Sequence, residues 1–268
     1  DCYQRLKKRN KIIIDKKNCL KYLKKNGVSH KSLIEIFNLE VSKISNVKII
    51  GDAETNAWRS IPSFLKIFPN SKVIIILRDP RDILCSFKRI TIAKKNDYLI
   101  SIFNNLDLIK KTIKFKKKYK NKIIIMKFHD FKTNRKAALM KFCKYLKVKF
   151  EKKMLDERSF VNFKEKQWKS SYSFKGGLKK KTIGRWKKII KPEDLYLCEH
   201  ILKEQIRYMG LKPSNQIFTK KNIEDAQKKI HSSSLLKQLY RNWKKIREGS
   251  DKFPLNPLNP KNWDDIKR

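Results

Sequence analysis

Acidic residues are scarce in this chain: 25 aspartates and glutamates face 68 lysines and arginines, a formal net charge of +43 over 268 residues. Such a field draws in nucleic acid, anionic glycans, acidic membrane surfaces or nucleotide substrates. Lysine far outnumbers arginine, however, and isoleucine and asparagine are abundant, as expected of drift under an AT-rich genome. Lysines spread over every segment read as solvated faces rather than a dedicated nucleic-acid stripe. Paired cysteines are missing too. Cys2, Cys19, Cys85, Cys143 and Cys198 form no C-x-x-C pair and no metal-ligand spacing, which argues against a complete disulfide framework. Cys85, Cys143 and Cys198 fall within helical patterns, as small core residues do. The four histidines are scattered, so no zinc or other metal site is expected. No apolar run is long enough to span a bilayer, no signal peptide opens the chain, and no internal repeat is present. A cytoplasmic location is the expectation, although a piece preceding Asp1 could carry either kind of segment.

What is present is a globular composition. Hydrophobic residues at 40% and aromatics at 11% suffice for a core, while charged residues at 35% are high. One α/β domain followed by a tail is the natural reading of this length. Residues from Leu6 to Asn26 and from Ser29 to Ile44 read as helices, with Ser29 as a cap and Leu33, Ile36, Phe37 and Glu40 near helical spacing. Ile12–Ile14 is alternatively a short strand. Val47–Ile50 reads as a strand ending at Gly51, and Val73–Leu77 and Lys122–Phe128 as strands of the fully buried type. Helices are expected at Ser60–Phe68, Pro80–Ile92, Tyr98–Tyr119 and Lys136–Leu146. A long functional loop covers Phe150–Lys181. One helix then runs from Pro192 to Met209 and stops at Gly210. Weaker helices follow at Asn222–Ile230 and Leu235–Glu248, before a proline-containing tail at Phe253–Asn262. Strands separated by helices imply a parallel sheet with crossovers.

The segment Phe68–Ser86 carries the most chemistry. Arg78 stands where a strand ends, Asp79 can cap the amides that follow, and Pro80 suits the first helical position. A helix N-terminus beside a strand C-terminus favours anions through its N–H groups and dipole. Arg78 adds a planar fork and Ser86 a hydroxyl, so the turn reads as a phosphate site. Arg-Asp-Pro is also an ordinary strand-to-helix turn.

The F-P-x-x-K lead-in, the Arg at the strand end and the Ser eight residues later resemble the 3′-phosphate-binding segment of sulfotransferases. Those enzymes use 3′-phosphoadenosine-5′-phosphosulfate (PAPS). Three later segments match the family in order. Phe128-His129-Asp130-Phe131 resembles its Tyr-Glu-Asp-Leu, so Phe128 would stack on adenine without the tyrosine's hydrogen bond. His129 occupies the Glu position, where turn hydrogen bonding is the simpler role than base. Arg158-Ser159-Phe160 resembles a Thr-Ser-Phe whose ring covers the adenine, although a loop phenylalanine pinned in the core reads the same way. Lys179-to-Lys188, KKKTIGRWKK, resembles Arg-Lys-Gly-x-x-Gly-x-Trp, with Gly184 and Trp186 in register. There Lys179, Lys180 and Lys181 would close over the 3′-phosphate, and Lys181 replaces a glycine. Upstream, Glu54, Thr55 and Asn56 lie where relatives carry Lys-Thr and, in some, a catalytic His. Either a carboxylate, Glu54 or Asp52, is the general base or this position is not catalytic, and Thr55 reads equally well as a helix N-cap. No Gly/Ser/Thr-rich phosphosulfate loop precedes Gly51, since Gly27-Val28-Ser29-His30 lacks the strand and the glycine spacing. Truncation upstream of Asp1 is the simplest expectation.

The resemblance implies a P-loop-type α/β three-layer sandwich, with a central parallel sheet, helices on both faces and an extra helical C-terminal segment. Residues 1–212 would form the sulfotransferase-like domain and residues 213–268 a basic helical extension with a tail. The implied activity is sulfuryl transfer from PAPS to an acceptor hydroxyl or amine, carbohydrate and lipid acceptors included. The alternative is a non-catalytic basic protein holding anionic polymer or nucleic acid. An ATP- or GTP-using relative fits less well, because neither nucleotide has a 3′-phosphate.

Overall fold

Runs of β-branched residues make the sheet. In the computed structural model, which describes residues 14–45, 49–51, 57–90, 96–156 and 183–247, Val73–Leu77 (β1) and Ile123–Lys127 (β2) pair in parallel. Their register sets Val73 opposite Ile123 and Leu77 opposite Lys127. Helices supply most of the remaining structure, which makes this a helix-rich α/β fold with a small parallel sheet. The chain divides into two units, residues 1–57 with 151–178 and residues 58–150 with 179–268.

In the first unit, Lys16–Asn26 (α1) is capped by Asp15, whose carboxylate accepts from the N–H groups of Lys17 at 2.9 Å and Asn18 at 3.2 Å. His30–Ser45 (α2) follows. Ser29 Oγ accepts from Ser32 N–H at 3.0 Å and Ser32 Oγ accepts from Ser29 N–H at 2.9 Å, a reciprocal cap. The two helices are tied by Tyr22 Oη, 3.2 Å from Glu35. Ile49–Gly51 carries no regular element, and the rest of the expected Val47–Ile50 strand lies outside the described residues. Lys152–Leu155 is a 3₁₀ turn, and 157–181 of the expected long loop also lies outside them.

The second unit is built on one helix. Ile61–Ile67 (α3) precedes β1, and Pro80–Ile90 (α4) leaves it. Ile100–Lys118 (α5) then returns to β2. It contains neither glycine nor proline, so nothing interrupts its 19 residues. Near its start, Ile102, Phe103 and Leu106 are buried against the C-terminal helices. Further along, Ile109 and Phe115 pack with Ile75, Leu77 and Ile123 of the sheet. Each such side chain contributes about 1.5–3 kcal/mol on burial, so α5 joins sheet and helices into one core. After β2 come Phe128–Thr133 (α6) and Arg135–Leu146 (α7), then Trp186–Ile189 (α8). Pro192–Ile201 (α9), Lys203–Tyr208 (α10), Lys220–His231 (α11) and Ser234–Arg247 (α12) complete the described chain.

Three expectations need correction. β1 is not fully buried: Ile75 and Leu77 are enclosed, but Ile76 on the opposite face is 54% exposed. Phe128 does not end the strand; it opens α6. The expected helix from Pro192 to Met209 divides at Leu202, whose φ of −104° and ψ of 20° leave the helical well. Leu202 is fully buried, and its N–H still bonds Cys198 O at 3.0 Å while its own carbonyl accepts from Ile206 N–H at 2.8 Å, so the backbone bonds continue across the break. Gly210 ends α10 with φ of 69°, a conformation that suits glycine.

A buried carboxylate ties four segments of this unit together. Asp194 on α9 accepts from Tyr98 Oη at 2.9 Å, from Lys88 of α4 at 3.0 Å and from Lys229 of α11 at 2.6 Å. Lys229 also reaches Glu193 at 2.9 Å. Burial pushes the Tyr98 hydroxyl well above its ordinary pKa, and the Asp194 charge adds to that shift. Among the described residues, no helix is long and apolar enough to cross a membrane.

Candidate functional site

The turn between β1 and α4 folds as its residue types dictate. Asp79 Oδ1 accepts from Arg81 N–H at 3.0 Å, and Pro80 fills the first helical position. The Arg81 side chain then folds back on its own turn. Its Nε and Nη2 each reach Asp79 at 2.9 Å, one per carboxylate oxygen. Nη1 bonds Glu199 at 2.8 Å and the Lys212 carbonyl at 3.0 Å, while the guanidinium lies 4.0 Å from the Trp186 ring centroid. Arg81 is only 3% exposed. It is a structural cation.

Arg78 faces differently. It lines a cavity of about 220 Å³ with Lys127, Phe128, His129, Ile183 and Gly210. Its guanidinium carbon sits 4.9 Å from the Phe128 ring centroid, and Lys132 Nζ is 5.6 Å from that same centroid. Two cations therefore lie within 6 Å of the centre of the ring that the resemblance places on adenine. Lys127 ends β2 as Arg78 follows β1, so adjacent parallel strands deliver neighbouring positive charges to one edge. Burial lowers the Arg78 pKa, Asp82 pulls it back up, and Arg185 depresses it further.

Ser86 lies two turns into α4. Its hydroxyl donates to Asp82 O at 3.2 Å and accepts from Arg185 Nη2 at 3.0 Å. Gly184, with φ of 69°, turns the chain just before Arg185. Asp82, 1% exposed, accepts from Gly184 N–H at 2.8 Å and Trp186 N–H at 3.2 Å. Burial raises the Asp82 pKa, and those two amides oppose the rise. Arg78, Ser86, Arg185 and Gly184 thus occupy one neighbourhood. Asp52, Glu54, Phe160, Lys179, Lys180 and Lys181 lie outside the described residues.

Arg185 was missed by sequence reasoning, which weighed the lysines of KKKTIGRWKK and used the arginine only as the x of Gly-x-Trp. Its Nε is buried with no hydrogen-bond partner among the described residues. Alone among the basic residues of that run it lies between the two residues in register, Gly184 and Trp186, and that was the available signal.

Behind the site, Cys85 packs with Trp186 and Leu195. Burial, helped by the Asp82 charge, pushes its thiol up to about 11 from an ordinary 9.0. A raised thiol pKa means that the folded state holds its proton more tightly than the unfolded state does. The associated stability is full below pH 9 and is lost as pH rises towards about 11. A thiol-specific alkylating agent at pH 8 should leave Cys85 unmodified in the native protein and label it in urea. Prompt native labelling would contradict this burial.

The model for a family described as "Sulfotransferase family" matches residues 10–152, just over half of the chain. Among solved structures, the chain is similar to the sulfotransferase domain from the curacin biosynthetic pathway, at 16% identity and a TM-score of 0.50. That alignment covers 79% of this chain and 84% of the other, and it speaks to the fold. No curated protein matches in sequence. With β1, β2 and the Arg78 turn all inside the matched span, the chain belongs to the sulfotransferase family.

Proposed function

We propose that this chain transfers a sulfuryl group from PAPS to an acceptor hydroxyl or amine. The carrying observation is Arg78 at the end of β1, lining a cavity next to the Ser86–Arg185 pair. In this reading Arg78 and Ser86 hold the 3′-phosphate, and Phe128 and Phe160 flank the adenine. Lys179, Lys180, Lys181 and Gly184 then close over the nucleotide. Asp52 or Glu54 would take the acceptor's proton. The acceptor oxygen or nitrogen forms the new bond to sulfur while the bond from sulfur to the 5′-phosphate oxygen breaks, releasing adenosine 3′,5′-bisphosphate. As in phosphoryl transfer, positioning and electrostatic stabilisation would supply most of the rate. The same reading takes the sheet as part of a P-loop-type three-layer sandwich, with residues 1–212 as the transferase domain and 213–268 as its extension. Family membership favours this over a polymer-binding protein.

Titration calorimetry with adenosine 3′,5′-bisphosphate and with adenosine 5′-monophosphate tests the reading. The bisphosphate should bind at least about tenfold more tightly, the scale of one charge-assisted contact. Equal affinities would remove the 3′-phosphate assignment.

A further inference from the structure

We infer that Asp82 is a positioning residue, whose buried carboxylate holds the Gly184–Trp186 turn so that Arg185 stands at Ser86 as a second guanidinium beside Arg78. The inference rests on the donor reading given above for the ligand, but not for the geometry. Its two oxygens divide the work: Oδ2 takes the Gly184 amide and Oδ1 the Trp186 amide, the two residues flanking Arg185. A carboxylate that accepts from positions i and i+2 fixes the peptide planes between them. The direction in which the intervening side chain leaves is thereby set. Arg185 leaves towards α4 and donates to Ser86. Trp186 is held from its other side by the Arg81 guanidinium, so the turn cannot swing away without breaking a cation–π contact as well.

The charge pattern explains why such a hold is needed. Arg185 and Arg78 repel each other, so without an anion between them the turn would relax outward. Asp82 lies close enough to act electrostatically on Arg78 too, and it neutralises part of that repulsion while the site is empty. Arg185 keeps a buried Nε with no partner among the described residues. That is the donor an incoming phosphate oxygen would satisfy.

The test compares the wild-type chain with Asp82→Asn, Arg185→Ala and the double variant. In calorimetry, each single variant should lose about tenfold in affinity for adenosine 3′,5′-bisphosphate and nothing for adenosine 5′-monophosphate. The double variant should lose clearly less than the product of the two single losses, because Asp82 acts mainly through Arg185. A preference for the bisphosphate that is undiminished in Asp82→Asn or in Arg185→Ala overturns the inference, as does a double variant that loses the product of both. A purely structural Asp82 would weaken both nucleotides alike, which also overturns it. Amide hydrogen exchange supplies a readout without nucleotide. The Gly184 and Trp186 amides should exchange slowly in the wild type and in Arg185→Ala, and rapidly in Asp82→Asn. Fast exchange in the wild-type chain overturns the inference even if Asp82→Asn does not fold. If wild-type protein shows no preference between the nucleotides, the donor reading fails, and the exchange result alone decides whether Asp82 holds the turn.

Discussion

Arg81→Met should destabilise the protein by about 3–5 kcal/mol, the range for removing one partner from a buried ion pair. Two carboxylates depend on this guanidinium. Asp79 would lose both side-chain donors and keep the Arg81 backbone amide. Glu199 would keep Ser214, whose N–H and hydroxyl lie at 2.8 and 2.7 Å, but would lose the only cation paired with it among the described residues. Methionine fills most of the volume, so cavity formation contributes little and the loss comes from uncompensated charge. Because Arg81 is almost wholly enclosed, solvent does not screen the effect. Urea melts monitored by circular dichroism measure it, and a loss under about 1 kcal/mol would show that the network is worth no more than a surface pair. Arg81→Lys should recover only part of the loss, since an ammonium cannot reproduce the fork that meets both oxygens of Asp79.

Arg78→Ala should leave the fold nearly intact and weaken adenosine 3′,5′-bisphosphate binding by about 2–3 kcal/mol, or about 30- to 150-fold. The contrast with Arg81 is instructive, because the two arginines are three residues apart. Arg81 meets two carboxylates and a carbonyl. Arg78 borders a cavity and covers an aromatic ring. Its buried surroundings lower its pKa, an environment that gains from an anion in contact with it. Affinity for adenosine 5′-monophosphate should change little in this variant. Unchanged calorimetric affinity for the bisphosphate would contradict the assignment of Arg78 to the 3′-phosphate.

Local structure was written plainly in the chain where one physical rule dominates. The isoleucine runs gave β1 at the expected residues and β2 inside the expected segment, Pro80 and Pro192 marked helix starts, and Gly210, with φ of 69°, a helix end. Helices at Lys220–His231 and Ser234–Arg247 were visible from spacing, and Thr219 adds a capping box to the first. Cys85, Cys143 and Cys198 are buried on helices as their patterns implied. What escaped were features fixed by distant partners. Nothing near Leu202 in the sequence, neither glycine nor proline, announces a break at this fully buried residue. Arg81 and Asp82 look like the solvated start of a helix until Glu199 and the Gly184 turn are brought to them. The link from Arg185 to Ser86 spans 99 positions, and no local pattern encodes it. The Arg78 turn was legible because strand end, cap and helix start are contiguous.

The Asp194 node has a consequence for biosynthesis. Its anion sits on α9, yet one of its ammonium donors, Lys229, is translated 35 residues later. Leu236, Leu239 and Trp243, which close the apolar surface around α5 and α9, emerge later still. A ribosome adding about 5–20 residues per second therefore leaves Asp194 without that ammonium for about 2–7 s after it is made, with the apolar flank of α5 and α9 still open. Closure of the core around α5 and α9 thus waits on the last two described helices.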